Sequence, residues 1–176
     1  MSLKKLFVAT TIALSSGLAM ANNVSYDYVQ GGLIDYDNLD GVKFEFSKSF
    51  TDNIYGKINY SDLETGSIDV NILRINAGFN MEITNSTDFV AELGYEDFDA
   101  DFGIDDSGYN FMAGFRSMFT NDLEVGVYAS HSDVLESTDI TVEGRYHFDR
   151  NMSVALEFGN DDELDEHIGL NFRYSF

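Results

Sequence analysis

The side chains best suited to chemistry are three histidines, His131, His147 and His167, set in a chain with 31 acidic residues. His131-Ser132-Asp133 has the letters of a nucleophile with a base and an orienting acid. On an extended strand, however, successive side chains point to opposite faces, so three consecutive residues cannot converge on one atom. Asp97-Phe98-Asp99-Ala100-Asp101-Phe102-Gly103 carries the alternating carboxylates of a calcium loop, but its glycine stands one place late. Gly108 also occupies the position of the closing glutamate, so the segment fails as an EF-hand. A third constellation survives. Lys43, Lys57, Arg74, Arg116, Arg145 and Arg173 share one phase of a two-residue repeat with Glu45, Glu92, Glu124, Glu143 and Glu157. Opposite charges gathered on one confined face neutralise one another, because unpaired charge in a low-dielectric space is costly.

Period two is the signature of the elements that must hold those charges. Tyr109/Phe111/Ala113/Phe115, Leu123/Val125/Val127/Ala129 and Ile140/Val142/Gly144/Tyr146/Phe148 alternate with polar or small residues. Val42/Phe44/Phe46, Ile54/Gly56/Ile58/Tyr60, Leu73/Ile75/Ala77/Phe79, Phe89/Ala91/Leu93/Tyr95 and Val154/Leu156/Phe158 do the same. Around 24–33 two phases compete, Tyr26/Tyr28 against Val29/Gly31/Leu33, which suggests a bulge or glycine kink. Ile168, Leu170, Phe172, Tyr174 and Phe176 alternate up to the final aromatic residue. A soluble β-sandwich has no reason to end on such a run, whereas Leu170, Phe172, Tyr174 and Phe176 resemble the terminal signature read by outer-membrane assembly machinery. The expected fold is all-β: a transmembrane antiparallel up-and-down barrel of ten strands, or eight if two weak segments are loop.

The amino terminus fits this route. Lys4 and Lys5 precede an apolar stretch from Leu6 to Leu18, and Ala19-Met20-Ala21 offers a cleavage site, so residues 1–21 read as a cleavable signal peptide. The stretch is too short and too interrupted by Thr10, Thr11, Ser15, Ser16 and Gly17 for an anchor helix. Residues 22–176 then form the barrel. No later run of apolar residues is long enough for a spanning helix, which leaves a closed sheet as the way through a bilayer.

Without the signal the chain has 8 basic and 31 acidic residues, a formal charge of −23, which excludes nucleic acid as a partner. The absence of cysteine removes disulfides, thiolate catalysis and cysteine-bound metals, and no cofactor is expected. Short connections are expected at 51–53, 119–122 and 149–152, with a longer one at 82–87. The other set, 34–40, 62–67, 97–107, 132–138 and 160–166, is expected to form longer external loops. Twenty acids fall in or just beside these segments without a basic partner: Asp35, Asp37, Asp40, Asp62, Glu64, Asp69, Glu96, Asp97, Asp99, Asp101, Asp105, Asp106, Asp133, Glu136, Asp139, Asp161, Asp162, Glu163, Asp165 and Glu166. Such a rim attracts cations and could bind calcium or magnesium, although plain solvation explains it as well.

Ser25 to Gly32, Thr87-Asp88-Phe89-Val90-Ala91, Tyr95 to Asp101, Gly108-Tyr109 and Ala113-Gly114-Phe115-Arg116 resemble the small proteobacterial outer-membrane proteins labelled activator of XA-mediated immunity. Gln30 departs from the Glu common in that group. The resemblance implies an exported porin-like barrel of the Gram-negative cell envelope, in contact with outer-membrane lipid and lipopolysaccharide. It supplies no catalytic residue.

A structural or surface-interaction role with a narrow, salt-bridged, nearly neutral lumen is therefore expected. A small channel for ions or small solutes is the alternative, kept open by the lumen glycines Gly78, Gly94, Gly114 and Gly126. A rim hydrolase is the remote one, since strands this short barely cross a membrane, and no enzyme is expected. Intact-mass spectrometry of the protein recovered from outer membranes should give a chain beginning at Asn22; a mass that still includes Lys4 and Lys5 would contradict the signal peptide.

Overall fold

The computed structural model describes residues 24–66 and 68–176; the expected signal peptide and its cleavage site lie outside the described residues. Ten strands follow one another: β1 (Tyr28–Tyr36), β2 (Leu39–Ser49), β3 (Ile54–Thr65), β4 (Ile68–Thr84), β5 (Thr87–Ala100), β6 (Ile104–Met118), β7 (Leu123–Ser132), β8 (Ser137–His147), β9 (Met152–Asp161) and β10 (Asp165–Ser175). Each pairs antiparallel with its sequence neighbours, and β10 returns to β1, so the sheet closes into an up-and-down barrel. The eight-strand alternative is thereby removed.

The first strand carries no bulge. Its register runs unbroken from Tyr28↔Ser175 to Tyr36↔His167 on one side and from Tyr28↔Ser47 to Tyr36↔Leu39 on the other. The competing phases in 24–33 arise because Tyr26 and Tyr28 are inward-facing aromatics, buried in the interior, while Val29 and Leu33 face out. A register shift occurs instead between Glu82 and Thr84, at the β4–β5 hairpin.

One rim of the barrel, here called distal, consists of the turns β1–β2, β3–β4, β5–β6, β7–β8 and β9–β10. These are tight hairpins and not long loops: Asp37-Asn38, the turn at Gly66, 101–103, 133–136 and 162–164. The acid-rich segments continue the ladder because they keep its alternation; Asp97 and Asp99 face out while Glu96, Phe98 and Ala100 face in. Positive φ at Gly66 (64°) and Gly103 (73°) turns two of these hairpins, a conformation open to glycine at no steric cost. As a result β4, β5 and β6 reach 17, 14 and 15 residues, longer than the roughly 10 a membrane crossing needs, so the expectation of strands that barely cross is corrected for these three, while the other seven, at 9 to 12 residues, keep to it.

The opposite, terminal rim holds both described ends of the chain and four connections. Three of these repeat one design, Phe50-Thr51-Asp52-Asn53, Phe119-Thr120-Asn121-Asp122 and Phe148-Asp149-Arg150-Asn151. In each, the second residue accepts two backbone N–H groups from the far side of the turn, at 3.0–3.3 Å for Thr51 and Thr120 and 2.8 Å for Asp149. The N–H groups of Asn151 and Met152 also hold the Asp149 carboxyl below its usual pKa.

The wall sorts its residues inside out relative to a soluble protein. Phe44, Ile58, Leu93, Phe111, Leu156, Leu170 and Phe172 are among the large apolar side chains left exposed on the outer face. Arg145, Glu124, Asn171 and Ser153 are among the most deeply buried. Two small apolar clusters interrupt the polar interior. Ile34, Leu63, Val70, Ile72 and Ala100 pack near the distal rim, and Tyr26, Tyr55 and Val90 near the terminal rim.

Inward glycines let large rings lie flat against the wall. Tyr128 covers Gly114 and Gly126, and Tyr55 covers Gly78, so a Cβ at any of the three would overlap a ring. At Gly114 it would also overlap the Val127 carbonyl oxygen, which cannot move aside, whereas Gly144 faces open space. Gly114→Val should therefore cost about 3 kcal/mol, the upper end of overpacking, and abolish heat-modifiable gel migration, while Gly144→Val retains it; equal behaviour of the two variants would contradict this account.

A paired-charge lumen as the candidate functional site

Alternation places one residue in two inside, and closure brings inward residues of non-adjacent strands within reach of one another. Lys43 on β2 pairs with Glu157 on β9, across β1 and β10. Lys57 on β3 reaches over β4 to Glu92 on β5 at 2.6 Å and stands 3.8 Å from Glu45. Arg116 and Glu124 pair at 2.7 Å, and His147 Nε2 lies 2.9 Å from the other Glu124 oxygen. Arg74 pairs with Glu96, which also accepts the Ser132 hydroxyl.

The centre of the network is Arg145, whose side chain is fully buried. Its guanidinium donates to both oxygens of Glu143 at 2.9 and 3.2 Å, to Ser153 Oγ at 3.2 Å and to Gln30 Oε1 at 2.8 Å. Arg173 Nε donates to the same Gln30 oxygen at 2.9 Å while its guanidinium lies 3.7 Å from the centre of the Tyr28 ring. The Tyr28 hydroxyl donates to Glu45 at 2.5 Å, which returns the chain of contacts to Lys57 and Glu92. An unbroken polar path thus links β8, β1, β10, β2, β3 and β5.

At the terminal rim the segment before β1 enters the lumen. Tyr26 stacks on Tyr55 with ring centres 4.8 Å apart, donates its hydroxyl to Asp88 at 2.9 Å and lies under the Arg116 guanidinium at 5.0 Å. The segment is fastened to β2 by Ser47 Oγ donating to the Tyr26 carbonyl at 2.7 Å and by Lys48 and the Ser49 N–H on Asp27 at 2.9 and 2.6 Å. Partial burial raises the Asp27 carboxyl, but the Ser49 N–H and the Lys48 ammonium outweigh it and leave its pKa below the ordinary value of 3.8.

All eleven charged residues named from the sequence face this interior, but the acidic side was undercounted. Glu96, assigned to an unpartnered external loop, is buried and ion-paired. Asp139 and Asp161, assigned to the same rim, also turn inward: Asp161 accepts the Ser137 hydroxyl at 3.0 Å, and Asp139 lies 3.6 Å from His167. Their inward parity follows from the hairpins that replace the expected loops. Nor do the glycines leave a gap, since Tyr55, Asn76 and Tyr128 occupy the space over Gly78, Gly94, Gly114 and Gly126.

His131, Ser132 and Asp133 do not converge. His131 Nδ1 contacts Thr138 at 3.2 Å, Ser132 serves Glu96 in the lumen, and Asp133 is exposed in a turn. Among the described residues no three His, Asp or Glu side chains gather as a metal-holding group. Leu170, Phe172, Tyr174 and Phe176 all face outward on β10, the strand that closes the barrel, and Lys48 lies 5.1 Å from the centre of the Phe176 ring.

No protein-family model matches the chain, and no curated protein matches it. Solved structures do. A KdgM porin aligns over 85% of this chain and 99% of its own at a TM-score of 0.56 and 13% identity. A KdgM porin in complex with disordered oligogalacturonate gives 85%, 99%, 0.54 and 12%. A NanC porin gives 85%, 98%, 0.50 and 10%. The chain has the fold of a porin-type barrel. Likeness at this level of identity concerns the path of the backbone, and the lumen must be judged on its own side chains.

In this porin-type barrel, sequence reasoning missed Gln30, Tyr26, Tyr28, Tyr55 and Asp88. Parity alone marks Gln30 and Asp88 as inward; nothing in hydropathy marks the tyrosines, whose rings look suited to the outside. Because Arg145 satisfies Glu143 and Gln30 together, Arg145→Leu should leave a buried carboxylate unpaired and cost about 3–5 kcal/mol in urea unfolding from micelles. Adding Glu143→Leu should recover most of that loss, and an undiminished loss in the double variant would overturn the pairing account.

Proposed function

We propose that the chain is an integral outer-membrane protein that acts through its barrel wall and distal surface, with a lumen closed to bulk flow. The observation that carries this reading is the occupation of the interior: ion pairs reach across non-adjacent strands, and Tyr26 and Tyr55 stack in the terminal mouth. The apolar outer face supports residence in lipid, since water tolerates no apolar patch of that extent on a monomer. An outward aromatic terminal strand supports recognition by the barrel-assembly machinery, and the acid-rich distal hairpins support a rim that concentrates divalent cations among lipopolysaccharide. Among the described residues of the lumen none joins a nucleophile to a base and an orienting group, and the reading includes no catalysis. The narrower kinship with the activator of XA-mediated immunity proteins rests on the residues quoted for it above.

A second reading, a narrow solute channel, is favoured by one observation. Two abutting cavities of about 220 and 230 Å³ remain inside the barrel. Planar-bilayer recording of the refolded protein separates the two. The closed-lumen reading expects no reproducible unitary steps in wild type and their appearance in Tyr26→Ala, whose mouth loses its stopper. Stable, ion-selective steps in wild type would sink it in favour of the channel.

A further inference from the structure

Most polar side chains in the lumen have partners, and most of those that do not lie in one place. Asn76 Oδ1, Asn110 Nδ2, Asp139 Oδ1 and His167 Nδ1 are buried without a hydrogen-bond partner. Buried polar atoms left unmet cost free energy, so a group of them on side chains that line two abutting cavities marks a place that something else completes. Asn76, Asn110 and His167 are each more than nine-tenths buried, at 8%, 5% and 7% exposure.

Register explains how they meet. Asn76 pairs with Gly94, and Gly94 with Asn110, so the two amides stand at one level on either side of a residue without a side chain. Asn76 leans over Gly94 and commits its nitrogen to Glu92 at 3.1 Å, which leaves its carbonyl as the open group. On the opposite wall His167 and Asp139 reach toward each other over Gly159, 3.6 Å apart. One cavity takes Asn76, Asn110 and Asp139, and the abutting one takes Asp139 and His167, with Tyr36 lining both.

We propose that this chamber is a binding site for a small neutral polyhydroxyl solute, of pentitol to monosaccharide size. A hydroxyl both donates and accepts. One can donate to Asn76 Oδ1 while accepting from Asn110 Nδ2, and another can donate to Asp139. Five cations line the chamber: Lys43, Lys57, Arg74 and Arg116 carry Glu157, Glu92, Glu96 and Glu124, and Arg173 is held by Gln30 and the Tyr28 ring, so none is spare to hold an anion. The two abutting cavities, of about 220 and 230 Å³, have room for a single sugar unit. The inference rests on the barrel reading above but not on whether the barrel conducts.

Saturation-transfer NMR on the refolded mature protein in micelles tests it, with ribitol as the neutral probe and gluconate as its anionic counterpart. Transfer to ribitol and none to gluconate is expected, with ribitol affinity reduced at least fivefold in Asn110→Leu and, separately, in Asp139→Asn. Heat-modifiable migration reports that each protein is folded, so a wild type that lacks it counts against the barrel and not against the chamber. With folding intact, absence of ribitol transfer in wild type, equal transfer to gluconate, or undiminished ribitol affinity in the folded variants would overturn the site.

Discussion

The last strand must find the first. A sheet with an open edge exposes a row of unpaired N–H and C=O groups, and in hydrocarbon each of these costs several kcal/mol. The nine residue pairs between β1 and β10, from Tyr28↔Ser175 to Tyr36↔His167, remove that edge. Everything else follows from the closure they impose. Alternate side chains are forced into a confined interior, where charge has to be met by charge, and the complementary set is forced outward, where it has to be apolar.

Closure also accounts for how contacts combine in the lumen. In an open sheet an inward side chain meets its neighbours on adjacent strands. Here Lys43 meets Glu157 across β1 and β10, and Arg145 meets Gln30 across β9 and β10. A contact of this kind ties strands far apart in sequence, so loss of one partner leaves a buried charge that no nearby group can take over. Gln30 is the economical element of the arrangement, one neutral oxygen accepting from two guanidinium groups.

Much of this was legible in the sequence because the period of two is strict. Alternation gave ten strands and placed Lys43, Lys57, Arg74, Arg116, Arg145 and Arg173 inside, and their carboxylate partners with them. It failed where composition was allowed to override parity. The Asp-rich stretches around Asp97 and Asp161 looked like loop, yet their alternation continued, and Glu96 and Asp161 were inward by simple counting. Tyr26 and Tyr28 misled in the other direction: as aromatics they suggested a lipid-facing phase, and the conflict with Val29 and Leu33 suggested a bulge that does not exist. The chamber between Asn76, Asn110, Asp139 and His167 was beyond the sequence altogether. It depends on which of many inward amides remains unpartnered, and that is decided only once the whole ring is closed.

The tyrosines that lie over glycines have a mechanical meaning. A thin-walled tube of paired strands is stiff along its hydrogen bonds but is easily squeezed from a circle toward an ellipse by the lateral pressure of surrounding acyl chains. Tyr128 spans Gly114 and Gly126, Tyr55 lies over Gly78, and Tyr26 stacks on Tyr55 from the far side of β2. Laid flat on bare backbone, Tyr128 over Gly114 of β6 and Tyr55 over Gly78 of β4, the rings brace neighbouring strands against the change of curvature that flattening requires. The roundness of this tube is therefore written in a few glycine positions on its inner wall, and not only in the number of its strands.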